Sequence, residues 1–198
     1  MIKNIIFDFG GVLYDIDYQL SSSKLESYSQ IDSVKITLGD IIDLPTKFEK
    51  GQITESEFRN EVINQYKLNC NEIEFDKAWN AMLLGIKAEA PAFLDTLKSN
   101  YNIVLLSNTN SIHFRYFYPE SSGLLERFSR VYLSFEIGMR KPDIEIYKYV
   151  CENSFFEPSE TLFIDDNLSN LNGALRCGLQ IFHFQFGNKL SDILHSIN

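Results

Sequence analysis

Asp8 closes the first apolar run of the chain, Ile5-Ile6-Phe7, and two glycines, Gly10 and Gly11, follow it closely. Two further carboxylates, Asp165 and Asp166, close a later run of the same kind, Thr161-Leu162-Phe163-Ile164. A third run, Ile103 to Leu106, ends in Ser107-Asn108-Thr109-Asn110, and a basic segment, Met139-Arg140-Lys141-Pro142-Asp143, lies between them. Carboxylates brought to one point repel each other, so a cation is expected among Asp8, Asp165 and Asp166. All-oxygen ligation with room for water suits Mg²⁺. A cation and Lys141 together would neutralise the oxygens of a phosphate group. The Ser107 hydroxyl and the backbone N–H of Asn108 can donate to the same oxygens. Asp8 would then face phosphorus as a nucleophile, giving an acyl phosphate that water hydrolyses.

Such a site needs elements that bring distant residues to one edge. Runs that are apolar on both faces suit the central strands of a parallel sheet. Five recur: Ile5 to Phe7, Ile103 to Leu106, Val131 to Leu133, Thr161 to Ile164 and Leu179 to Phe184. Helical patterns separate most of them, over 90–99, 143–153 and 168–177. Alternation of this kind predicts an α/β fold with a doubly wound, mostly parallel sheet. Ligands in such sheets bind beyond the carboxyl ends of the strands, where Asp8, Ser107 and Asp165 fall. Pro142 reads as the first residue of a helix, which would put Lys141 at that helix's N-terminus. From about Tyr18 to Gly85 the periodicity is helical without a good strand. Thr54 and Glu57 form a capping box ahead of the stripe Phe58, Val62 and Tyr66. Gly51 reads as a helix terminator, and a second helix is expected over 72–83. The interval reads as a helical insertion after the first strand.

The chain has 198 residues, which suits one core domain with a modest insertion. Its formal charge of −9 argues against a nucleic-acid partner and requires any phosphate site to be locally positive. The three cysteines, Cys70, Cys151 and Cys177, fit neither a disulfide framework nor a zinc site and suggest a reducing compartment. The N-terminal apolar run is too short for a signal core and no long apolar run follows, so no membrane partner and a cytoplasmic location are expected. His113, His183 and His195 are dispersed and receive no catalytic role. Tyr14, Phe48, Trp79 and Leu83 are candidates to face a ligand, although core packing is the commoner role.

The ordered segments I-I-F-D-F-G-G-V-L, L-L-S-N-T-N, G-M-R-K-P and F-I-D-D-N resemble the four motifs of the haloacid dehalogenase-like hydrolase superfamily. The insertion after the first of them resembles that family's small helical cap, and the resemblance covers essentially the whole chain. L-S-N-T-N with Y-L-S-F-E-I-G-M-R-K-P most resembles the bacterial branch that includes α-D-glucose-1-phosphate phosphatase. It implies a core over 1–15 and 88–198 and a cap over 16–87. It also implies Asp8 as nucleophile and metal ligand, a metal-binding carbonyl from Gly10, phosphate contacts from Ser107 and Lys141, and Mg²⁺ held by Asp165 and Asp166. The implied substrate is a small phosphorylated metabolite, such as a sugar phosphate, acted on by a monomer or homodimer.

One position departs from the pattern. Most phosphatases of the family carry an aspartate two residues after the nucleophile as general acid and base, and here that residue is Gly10. A positioned acid–base contributes roughly 10²–10⁴-fold in rate. Asp15 or Asp17 could substitute, the substrate could carry a good leaving group, or the protein could be a poor enzyme. A metal-independent dehalogenase and a non-catalytic phosphate-binding protein stay open as alternatives.

Overall fold

A computed structural model describes residues 1–37 and 43–197. In chain order its elements are β1 (Asn4–Phe7), β2 (Tyr14–Ile16), α1 (Tyr18–Glu26), α2 (Leu44–Glu49), α3 (Glu55–Tyr66), α4 (Glu72–Trp79), β3 (Leu83–Ile86), α5 (Ala90–Leu97), β4 (Asn102–Ser107), α6 (Ser111–Leu125), β5 (Arg130–Leu133), α7 (Ser134–Ile137), α8 (Ile144–Ser154), β6 (Thr161–Asp165), α9 (Leu168–Arg176), β7 (Gln180–His183) and α10 (Leu194–Ile197). The five expected strands form one sheet in the order β5-β4-β1-β6-β7, and every pair in it is parallel.

Side-chain alternation explains why the central strands are apolar throughout. Ile5 and Phe7 of β1, Ile103 and Leu105 of β4, and Leu162 and Ile164 of β6 enter one core, with Leu94 of α5 and Phe117 and Leu124 of α6. Ile6, Val104, Leu106 and Phe163 enter the opposite core, against Ile146, Tyr147 and Val150 of α8 and Leu171 and Ala174 of α9. Both faces of each strand are covered, as the pleat requires in a doubly wound sheet. Each fully buried Leu, Ile or Phe of this kind contributes roughly 1.5–3 kcal/mol.

Between β2 and β3 the chain builds a third core. Leu25, Phe48, Phe58, Val62, Phe75 and Trp79 pack together, and Ile112 of α6 joins them. The Thr54–Glu57 capping box opens α3, and Gly51 follows α2 at φ +62°. A second box, Asn71 with Glu74, opens α4.

Three sequence expectations need correction. The second helix of the insertion stops at Trp79, passes through a 3₁₀ turn at Asn80–Met82 and gives way to β3. The interval therefore does hold a strand, which pairs antiparallel with β2 across 14–16 and 83–86. The helix after the basic segment starts at Ile144 with Asp143 as N-cap, so Pro142 is not its first residue and Lys141 is not at its N-terminus. Lys141 instead sits in the turn before the helix, where its side chain points back into the sheet edge.

Candidate active site

At the carboxyl edge of the sheet, the ends of β1, β4 and β6 meet the turn before α8. Lys141 is almost fully buried, at 1% exposure. Its Nζ lies 2.8 Å from Asp8 Oδ1 and donates to Asp165 Oδ2 at 2.7 Å and to the Leu106 carbonyl at 3.1 Å. Oxygens of Asp8, Asp165 and Asp166 all lie within 4.8 Å of one another. Burial and the charge of Asp165 push the Asp8 carboxyl well above its ordinary value, against the pull of Lys141. Burial alone would lower the Lys141 pKa, but the two carboxylates outweigh it and the ammonium is held charged. Three carboxylates against one ammonium leave two negative charges uncompensated. That deficit and the oxygen-only donor set fit a hard divalent cation.

The acidic pair is not symmetric. Asp165 is fully buried; Oδ1 accepts from the Asn167 backbone at 2.8 Å and from Asn170 Nδ2 at 3.0 Å, and Oδ2 from Asn170 Nδ2 at 3.1 Å and from Lys141. Asp166 is the member that opens on the cavity. Gly11, at φ +76°, lies so close that a β-carbon there would overlap the Asp166 carboxylate. The glycine pair after β1 thus serves close approach as well as the turn.

Each residue of Ser107-Asn108-Thr109-Asn110 has a distinct task. Ser107 is buried at the cavity wall, and among the described residues its hydroxyl meets no hydrogen-bond partner. The Asn108 side chain accepts from the Lys141 backbone N–H and donates to its carbonyl, both at 2.9 Å. The Thr109 backbone is held at both ends by Ser134 Oγ, at 3.0 and 2.9 Å. Asn110 caps α6 through the His113 N–H at 3.0 Å. The expectation for Asn108 concerned its N–H; its side chain fixes the lysine.

The cavity above this edge measures about 470 Å³ and is closed on the far side by residues of the insertion, among them Tyr18, Glu49, Trp79 and Met82. Glu49 Oε2 accepts from Arg140 Nε at 2.9 Å, and the next residue, Lys50, pairs with Asp143 at 2.7 Å. These two ion pairs tie the end of α2 to both sides of Lys141. Burial raises the Glu49 pKa, opposed by Arg140 and more weakly by Lys141.

Neither sequence candidate for the missing acid reaches the cavity. Asp15 pairs with Lys87 outside it, and Asp17 accepts from the Gln19 N–H at 3.0 Å as the cap of α1. The space that a side chain on Gly10 would take is filled by the end of Ile16. Tyr14, Trp79 and Leu83 do line the cavity, whereas Phe48 is buried against Phe58 with ring centroids 4.4 Å apart.

His113, given no role from sequence, also borders the cavity. Its Nδ1 lies 2.7 Å from Asn80 Oδ1, and burial pushes its pKa down from 6.5 to about 3. The unfolded chain takes up a proton on this histidine below pH 6.5 and the folded chain does not. Stability is therefore present above pH 6.5 and is lost as the pH falls toward 3. Between pH 6.5 and 5 the loss should be about 2 kcal/mol. Chemical denaturation at pH 7 and pH 5 measures it; an equally steep loss in a His113→Phe variant would place its origin elsewhere.

A family model described as haloacid dehalogenase-like hydrolase matches residues 2–178. D-ribitol-5-phosphate phosphatase of Bacteroides thetaiotaomicron is 29% identical over an alignment 206 positions long that spans 99% of this chain and 100% of that protein. A crystal structure of a family enzyme from the same species has a TM-score of 0.87 at 29% identity and covers 98% of this chain and 99% of that one. It is an aspartate-to-alanine variant in complex with magnesium and inorganic phosphate. The structure of a predicted HAD-like family hydrolase from Porphyromonas gingivalis gives a TM-score of 0.85 at 29% identity, over 100% of this chain and 98% of that one.

Proposed function

Since the chain belongs to the haloacid dehalogenase-like hydrolase family, we propose that it is a Mg²⁺-dependent phosphatase of a small phosphorylated polyol or sugar, with Asp8 as its nucleophile. The observation that carries this reading is the meeting of Asp8, Asp165 and Asp166 around the buried ammonium of Lys141. The magnesium and phosphate in the Bacteroides structure support the same chemistry. The ribitol-5-phosphate relative, similar along its whole length, favours an open-chain alcohol ester over the anomeric phosphate suggested by the sequence motifs.

In this reading Asp8, Asp165, Asp166 and the Gly10 carbonyl would hold the Mg²⁺. When bound, the ion supplies positive charge to the phosphate oxygens. Lys141 neutralises the same oxygens, and the Ser107 hydroxyl and the Asn108 N–H donate to them. An Asp8 oxygen bonds to phosphorus as the bond from phosphorus to the alcohol oxygen breaks. Glu49, protonated on the cavity wall, gives the departing oxygen its proton and becomes a carboxylate. A water then attacks the aspartyl-phosphate, loses a proton to Glu49, and releases inorganic phosphate and free Asp8.

Residues 16–87 act as a cap over a core of 1–15 and 88–198. The ion pairs Glu49–Arg140 and Lys50–Asp143 hold it closed beside Lys141 and keep bulk water from the acyl phosphate. The three cysteines are free, in keeping with a reducing, cytoplasmic setting. Among the described residues no helix is long and apolar enough to cross a membrane.

A screen of phosphorylated metabolites with and without Mg²⁺ tests the reading. Phosphate release from a five-carbon polyol or sugar phosphate is expected, lost on chelation and restored by Mg²⁺. Halide release from a 2-haloacid without metal, or phosphate release indifferent to chelator, would reject it.

A further inference from the structure

The acidic neighbours Asp165 and Asp166 are held by different means. Asn167, Asn170 and Lys141 all bond the Asp165 carboxylate. Among the described residues the Asp166 carboxylate takes a hydrogen bond from its own backbone N–H and from no other residue. Its aim is therefore set by its backbone. β6 stops at Asp165, whose carbonyl accepts from the Phe184 N–H at 3.0 Å. The next peptide, between Asp166 and Asn167, is clamped at both ends. Its N–H donates to Asp165 Oδ1 at 2.8 Å, and its carbonyl lies 3.0 Å from Nε2 of His183. His183 closes β7 opposite Asp165, so the ladder itself brings the ring beside this turn. A carbonyl can only accept, so Nε2 carries a hydrogen there. Gln185 sets its amide nitrogen 3.2 Å from Nδ1, and its own backbone N–H is pinned by Asn188 Oδ1 at 2.7 Å. An amide N–H can only donate, so Nδ1 keeps the lone pair and both partners select one tautomer.

We propose that His183 is a positioning residue for the metal: by holding the Asp166 carbonyl, it fixes the peptide from which the Asp166 carboxylate is aimed at Mg²⁺. The proposal rests on the phosphatase reading, in which Asp166 is a metal ligand, and adds what keeps that ligand in place. His183 does not line the cavity, so it acts through Asp166 and not on the substrate. The clamped peptide joins the two acidic ligands, since its other end is tied to Asp165. Without the Nε2–H that peptide is held at one end only, and the ion itself must order the Asp166 carboxylate. Groups that steady a metal ligand from behind typically matter about 10–100-fold in metal affinity.

The test is a calorimetric titration of Mg²⁺ into the substrate-free protein, which reads binding without turnover. His183→Phe keeps a ring and removes the donor. His183→Gln can place an amide N–H where Nε2 stands. Both replacements are uncharged, so a difference between them reports the hydrogen bond and not the local charge. His183→Phe is expected to bind Mg²⁺ about 10–100-fold more weakly than wild type, and His183→Gln to recover most of that loss. In turnover, the Mg²⁺ concentration that gives half the maximal rate should rise by the same factor in His183→Phe. Melting curves accompany the titrations; if His183→Phe does not fold, His183→Leu takes its place. Equal affinity in wild type and His183→Phe overturns the positioning role and leaves the phosphatase reading intact, and so does an equal loss in both variants. A wild-type protein that binds no Mg²⁺ removes the metal from the phosphatase reading and the positioning role with it.

Discussion

Asp8→Asn is expected to lower turnover by at least about 10⁴-fold on every phosphate ester the protein hydrolyses. An amide cannot form the acyl phosphate on which the two half-reactions depend. The loss should not come from unfolding. Asparagine is nearly the same size, its oxygen can still accept from the Phe9 N–H that bonds Asp8 Oδ1 at 2.7 Å, and Lys141 keeps Asp165 and the Leu106 carbonyl. One of three mutually repelling carboxylates is also removed. Initial rates at saturating Mg²⁺, with a melting curve for each protein, make the comparison. Activity within tenfold of wild type would end the assignment of Asp8.

Glu49→Gln is expected to cost roughly 10²–10⁴-fold in turnover of an alkyl phosphate, the range for losing a positioned acid–base. The effect should shrink sharply for an aryl phosphate, whose leaving group departs without a proton. Contact with Arg140 makes this comparison necessary, because releasing Arg140 could disturb its neighbour Lys141. A disturbance of that kind would slow both substrates alike. Equal losses would therefore assign Glu49 to positioning, and no loss would leave proton transfer to solvent. The pH profile adds a sign. The groups acting on Glu49 are Arg140 and Lys141, and burial outweighs both to raise its pKa. The protonated form thus persists to higher pH than an ordinary glutamate allows, and the acid-dependent rate should fall as pH rises through that raised value.

The five parallel strands were legible because each is a short run apolar on both faces, and burial on both sides is what their alternation delivers. The clustering of Asp8, Ser107, Asp165 and Asp166 followed from their places at the ends of those runs. What sequence could not reach depends on partners far along the chain. β3 is four residues long, contains Gly85, and is a strand only because β2 lies beside it. Pro142 has the look of a helix start, yet Lys141 is set by the Asn108 amide, 33 residues away. Asn170 shows in the sequence as another polar helix residue, and only its place against Asp165 reveals its task. Asp15 and Asp17 were reasonable acids by spacing from Asp8. Lys87 and the first turn of α1 claimed them instead.

The pairing of β1 carries a further consequence for how the molecule comes into being. This strand precedes the others of its sheet along the chain, yet its neighbours β4 and β6 align Asn102 and Thr161 with Asn4. Contacts so remote in sequence are slow to close. β1 has no sheet partner until β4 is made and lacks its second until β6 is made, while the helices of the insertion can already fold on their own local contacts. Asp8 therefore gains Asp165 and Asp166 last, and a chain halted before β6 lacks two of the three carboxylates of the site.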